Sequence, residues 1–308
     1  MSDVLVSVKR FTKRYGETVA VKDVSFEVRR DEIFALLGPN GSGKTSTLEC
    51  LEGIRRPDGG ELSISGIDPT RHSRRLRNIV GVQLQTSALP AAMTVQEAMV
   101  FFSSYHGVSP RGDLVEMLGL SEKRGTQYGK LSVGLQRRLA LAIAIAHEPS
   151  VLFLDEPTAG LDVQSRADLH AMARRLREKG TTIILATHDM AEAEKLADRA
   201  AILLRGQIAA IGSPRQLTAS GDRRTRISVS TESGRLLEEQ PSFPNAVAQG
   251  KSDAYMVYLS EDPGRSVSAI LAWLDQAGDP LVDLRVERPT LEERFLEITS
   301  APAQGGTP

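Results

Sequence analysis

The sequence predicts an α/β chain: a large domain built on a mixed, mainly parallel sheet with a helical insertion, followed by a small α+β domain. Three observations carry this. Gly38-Pro-Asn-Gly-Ser-Gly-Lys-Thr45 sits between an apolar run and a helical stretch, the context a phosphate loop requires. A second apolar run, Val151 to Leu154, ends in Asp155 and Glu156, as strands of open parallel sheets deliver ligand-binding groups at their carboxyl ends. The last third of the chain reads strand, helix, strand, strand, helix, strand, a ferredoxin-like order.

Taken in order, the β-rich runs Val4 to Val8, Val24 to Val28, Ile33 to Leu37 and Leu62 to Ile64 alternate with Gly and Asp turns and read as strands of a mixed sheet. From about Thr86 to Glu148 the pattern is helical. Thr94-Val-Gln-Glu97 is a capping box ahead of an apolar run, and Leu135 to His147 is a long helical stretch. Val151 to Leu154, Thr182 to Ala186 and Ala200 to Leu204 then read as parallel strands joined by crossover helices, the first over about Gln164 to Lys179. Ser220-Gly221-Asp222 marks a joint. Beyond it come strands at Arg226 to Ser230, Ala246 to Gly250, Tyr255 to Leu259 and Leu281 to Val286, with helices at Gly234 to Gln240 and Val267 to Asp275. A final helix carries Leu291, Phe295 and Ile298 inward. The domains are thus 1–218, with the helical subdomain at about 86–148, then 222–299, and a disordered tail over 300–308.

Composition narrows the class. The 38 basic and 39 acidic side chains of the 308 residues nearly cancel, so no long-range field points to nucleic acid. One cysteine, Cys50, permits no internal disulfide, and the N-terminus lacks the pattern of a signal peptide; both fit a cytoplasmic location. The most apolar stretch, Leu139 to Ala146, is far short of the roughly 20 residues that span a bilayer. Any membrane role is therefore borrowed from a partner. The basic run Arg71 to Arg77 faces solvent, lipid headgroups or that partner.

The phosphate loop has a chemical logic. The glycines of the loop Gly38, Pro39, Asn40, Gly41, Ser42 and Gly43 let its backbone N–H groups close around phosphates, and the helix that opens at Lys44, Thr45 and Ser46 adds a positive dipole end. Lys44 adds a full charge, and the Thr45 hydroxyl is a Mg2+ ligand beside the Asp155 carboxylate. Glu156 then acts as general base or as positioner of the attacking water. Together these residues predict a Mg2+-dependent nucleotide hydrolase, and by themselves no more than that.

Between the two motifs, Leu131-Ser132-Val133-Gly134-Leu135-Gln136 resembles the Leu-Ser-Gly-Gly-Gln signature of ABC ATPases, and lies as in that family just before a helix and ahead of the acidic strand. Four further positions match: Tyr15 in the adenine-stacking loop, Gln85 in the glutamine loop with Gln83 as a competitor, Ala159 to Asp162 in the D-loop, and His188 in the switch loop. The resemblance covers roughly Val4 to Pro214. It implies that Tyr15 stacks on the base, a contact of about 1–3 kcal/mol, that Gln85 joins Thr45 and Asp155 at Mg2+, and that His188 senses the γ-phosphate. It implies too that Ser132 and Gly134 contact ATP held by a second copy of the chain, and that Asp162 of the D-loop takes part in binding the nucleotide. Val133 and Leu135 depart from the pattern. A β-branched residue at positive φ is a costly outlier, so Val133 is expected at negative φ.

Pro289 to Thr299 looks like the terminal motif of ATP-binding subunits of type-2 ABC exporters, including those of daunorubicin and doxorubicin resistance. That resemblance implies export, through a separate integral-membrane permease, on the cytoplasmic side of the cell membrane. The stretch from Thr86 to His106 either receives a coupling helix of the permease or packs the insertion internally. Other users of the signature loop fit less well. DNA-repair ATPases insert long coiled coils, whereas the span from Lys44 to Asp155 has no sustained heptads; translation-associated members carry two nucleotide domains, and this chain carries one set of motifs.

Overall fold

A computed structural model describes residues 3–71, 73–84, 89–219 and 224–300. The chain forms two compact units, Met1–Pro214 and Arg215–Pro308. The expected joint at Ser220 to Asp222 and the expected disordered tail after Ser300 lie outside the described residues, as does Gln85.

In the first unit, β1 (Val4–Tyr15) and β2 (Thr18–Arg29) pair as an antiparallel hairpin turning at Gly16, where φ is 58°. Next come β3 (Ile33–Leu37), α1 (Lys44–Leu51) and β4 (Gly59–Ile64), the last adding to the other side of β1. The N-terminal runs therefore do not share one sheet: β2-β1-β4 form a three-stranded antiparallel sheet, and β3 joins another. After α2 (Ser73–Arg77) and β5 (Val80–Gln83) comes the insertion, with α3 (Val95–Tyr105), α4 (Gly112–Met117) and α5 (Val133–Ile145). Then follow β6 (Val151–Asp155), α6 (Val163–Glu178), β7 (Thr182–Thr187), α7 (Met190–Leu196), β8 (Arg199–Leu204) and β9 (Gln207–Gly212), while α8 (Pro214–Ala219) falls at the division and belongs from Arg215 onward to the second unit. The second sheet runs β5-β6-β7-β3-β8-β9, parallel except for β9.

Every residue of β3, β6 and β7 is buried, because a parallel sheet covered on both faces reads as a continuous apolar run. Alternation along these strands sorts side chains into two cores. Phe34, Leu36, Val151, Phe153, Ile184 and Ala186 pack with α1 and the antiparallel sheet. Ile33, Leu152, Leu154, Ile183 and Leu185 pack with α3, α5 and α6. Phe26 stacks on Phe34 at 5.2 Å between centroids, tying the two sheets. Cys50 is buried.

The Thr94–Glu97 capping box forms: the Glu97 N–H donates to Thr94 Oγ1, and the Glu97 carboxylate accepts the Thr94 N–H. Within the insertion, Leu89 and Met93 pack against its core, whereas Phe101 and Tyr105 are 57% and 56% exposed. Residues of this stretch thus divide between the packed interior and the exposed surface. No described helix is long and apolar enough to cross a membrane.

The second unit contains β10 (Thr225–Thr231), α9 (Arg235–Glu239), β11 (Ala246–Ser252), β12 (Tyr255–Ser260), α10 (Pro263–Ala277), β13 (Leu281–Glu287) and α11 (Leu291–Ser300). Its antiparallel sheet runs β11-β12-β10-β13. Ile227, Val229, Met256 and Tyr258 on one face meet Ile270 and Leu274 of α10 and Leu236 of α9. Asp262 caps α10, Pro263 opens it, and Gly278 closes it at φ 64°. On α11, Leu291 is fully buried and Leu296 exposed.

Candidate nucleotide-binding site

The loop between β3 and α1 is shaped by glycine. Gly43 has φ 104°, and a Cβ there would lie 2.7 Å from the Ala20 carbonyl oxygen, so no other residue fits without displacing backbone. At Gly38 a Cβ would lie 2.2 Å from the Leu203 oxygen. Gly43 is the N-cap of α1 and offers no side chain to its first N–H groups, which leaves donors at the positive end of the helix for an anion. A cavity of about 200 Å³ opens here, lined by Asn40, Gly41, Gly43, Lys44, Thr45 and Ser46 of the loop together with Ala20 and Glu156. Ser42 is buried, and its hydroxyl has no partner.

Strand parity explains the acids. Asp155 continues the face of Val151 and Phe153, which packs on α1, and there it meets the first turn of that helix: Thr45 Oγ1 donates to Asp155 Oδ2 at 3.1 Å. Its other oxygen, Oδ1, is buried without a partner. Burial pushes the Asp155 carboxyl above its usual range, against the Thr45 hydrogen bond. The orphaned carboxylate oxygen beside a hydroxyl is a set of hard oxygen donors, which suits Mg2+.

Glu156 would alternate to the opposite face, but it lies just past the strand with φ 47°, its N–H donating to the Ala186 oxygen. Its carboxylate instead reaches Lys44 Nζ at 3.7 Å and His188 Nδ1 at 2.8 Å. Lys44 Nζ also donates to the carbonyl oxygens of Gly38 at 2.8 Å and Pro39 at 3.2 Å. Burial pulls the Lys44 ammonium below the usual lysine range, opposed by Glu156 and Asp155. His188 follows β7, the strand next to β6, so both groups emerge at one sheet edge.

Tyr15 joins this group through its hydroxyl, 3.2 Å from Ser46 Oγ. Its ring is 40% exposed, with Lys13 Nζ and the Arg55 guanidinium 5.3 and 5.4 Å from its centroid. The structure therefore links Tyr15, the phosphate loop, Asp155, Glu156 and His188. Ser132, Gly134 and Asp162 do not line the cavity and form a second constellation. Ser132 caps α5, its Oγ accepting the Leu135 N–H at 3.4 Å. Asp162 caps α6 through Ser165, and a Cβ on Gly134 would lie 3.0 Å from Ser165 Oγ. Val133 is the first residue of α5, is 52% exposed, and is not among the positive-φ residues, as expected. Gln83 is 1% exposed, and neither atom of its amide has a partner.

Some features were not legible in the sequence. Ala20 lines the cavity from β2, a strand whose alternation gives no sign of a phosphate site. Lys13 and Arg55 flank Tyr15 from β1 and from beyond α1, a proximity that only the folded chain creates.

Comparison with known proteins agrees with this geometry. The family described as ABC transporter matches residues 21–159. The chain is 33% identical over 97% of its length to the daunorubicin resistance ATP-binding protein DrrA3 of Streptomyces coeruleorubidus, covering 97% of that protein. It is 40% identical over 71% of its length to the Nod factor export ATP-binding protein I of Burkholderia orbicola (strain AU 1054), covering 74% of it. A solved structure described as an ATP-binding subunit of an ABC transporter superposes with a TM-score of 0.66 at 27% identity, over 70% of this chain and 92% of the other. With a phosphate loop after β3, an acid pair at the carboxyl end of β6 in the same sheet and a relative matched over 97% of both chains, the chain belongs to the ABC transporter family as an ATP-binding ATPase.

Proposed function

We infer that the chain hydrolyses ATP to power a separate membrane permease that exports a drug, natural product or other hydrophobic compound. The observation that carries the hydrolytic part is the linkage at one cavity of Lys44 to Glu156, Glu156 to His188, and Thr45 to Asp155. The loop amides and Lys44 hold the phosphates, and Tyr15 offers its ring to the base. Thr45 and Asp155 hold Mg2+, with Gln85 added by family resemblance; the ion supplies charge neutralisation at the phosphate oxygens. Glu156 takes a proton from the attacking water or orients it, and His188 at 2.8 Å holds that carboxylate in place.

Ser132, Gly134 and Asp162 stand away from this cavity, which supports a homodimer in which each copy completes the other's site. Exposed Phe101 and Tyr105 on α3 support docking of the permease there, and the inferred location is the cytoplasmic face of the membrane. Export rests on the names of the relatives, which concern daunorubicin resistance and Nod factor export.

The Glu156→Gln variant should lose steady-state ATP hydrolysis, retain ATP binding, and accumulate as an ATP-bound dimer by light scattering. Retained turnover would remove Glu156 from this role. Purification from membranes should recover a multi-span partner, and a purely soluble complex would overturn the transporter reading.

A further inference from the structure

The second unit holds a cavity of about 600 Å³ over the sheet face that α9 and α10 leave uncovered, within the range of small-molecule sites. Its floor is apolar, from Val257 and Leu259 of β12, and Leu296 of α11 forms one wall. Gly250 lies at a bulge in β11 with φ 105°, and a Cβ there would meet nothing within 4 Å, so the cavity is open on that side.

The charges on the rim are unequally engaged. Glu297 pairs with Arg294 at 2.8 Å, and the Glu293 carboxylate accepts the Thr290 N–H at 2.8 Å as a helix cap. Both acids are committed to α11 itself. The side chains of Arg226, half-buried on β10, and Lys251 on β11 make no hydrogen bond or ion pair among the described residues. Glu287 is the cross-ladder neighbour of Arg226 on β13, yet the two form no ion pair. A half-buried guanidinium without a carboxylate, set in an apolar floor, is a costly arrangement unless an anion completes it, and its planar fork matches a carboxylate in two-point contact.

The geometry points to a binding site for a small amphipathic carboxylate, its head on Arg226 and Lys251 and its apolar body over Val257, Leu259 and Leu296. The shape requirement sets this apart from inorganic phosphate, which has nothing to place on the floor. The site lies outside the nucleotide cavity and does not depend on which compound is exported.

Calorimetric titration of the full chain with decanoate tests it. Decanoate should bind, and decanol and inorganic phosphate should each bind at least tenfold more weakly. The Arg226→Gln, Lys251→Gln double variant should lose at least tenfold in decanoate affinity while binding MgATP unchanged. Should that variant fail to fold, Glu287→Gln, which removes the competing acid, should instead tighten decanoate severalfold. Equal affinity for decanoate and decanol, no heat with decanoate, or no response to either variant would overturn the proposal. So would capture of the chain by phosphatidylglycerol vesicles, lost in the double variant, without binding of free decanoate, since the cations would then serve a lipid surface.

Discussion

Gly43 shows how a single residue sets the site. Its φ of 104° and the Ala20 oxygen 2.7 Å from a would-be Cβ make Gly43→Ala a backbone strain as well as a clash. A cost of about 1–3 kcal/mol is expected, read as a lower unfolding midpoint, together with at least a tenfold loss of ATP affinity. Unchanged affinity would mean that the loop tolerates the shift. The residues of the loop and the acid pair were legible in the sequence because each needs a residue type at a fixed spacing after a strand. The direction of Glu156 was less so. Alternation sends it away from Lys44, and only its φ of 47° brings it back.

Among elements, legibility followed burial. The short buried strands β3, β6 and β7 coincide with uninterrupted apolar runs, because both of their faces are covered. β1 and β2 each extend to 12 residues, well beyond the apolar stretches first recognised. Their outer parts alternate with Lys9, Arg10, Lys13 and Arg14, and register shifts between Val8 and Phe11 interrupt the period. Such a strand carries no continuous apolar signal. The α3 capping box was legible because it is local. Thr94→Ala removes the acceptor of the Glu97 N–H and should destabilise the first unit by about 1 kcal/mol, checked by denaturant unfolding. A change below about 0.3 kcal/mol would mean the insertion holds this helix end by packing alone.

The whole chain folds as two units with separate cores, and they divide after Pro214, ahead of the joint expected at Ser220 to Asp222. What one chain cannot display is its own second copy. If Ser132 and Gly134 complete a site on another chain, turnover per chain should fall on dilution, as hydrolysis becomes limited by association. Specific activity constant over a hundredfold range of concentration, down to subunits that are monomeric by light scattering, would refute shared sites.

The side chain of Lys44 has a broader meaning for energetics. It already rests against the oxygens of Gly38, Pro39 and Glu156, so an arriving phosphate competes with internal acceptors. The grip of the loop on nucleotide is thus an exchange of partners, and its measured strength is the difference between two well-satisfied arrangements. The same exchange loosens the hold of Lys44 on Glu156, so that the carboxylate is released from its internal cation only when there is a phosphate to act upon.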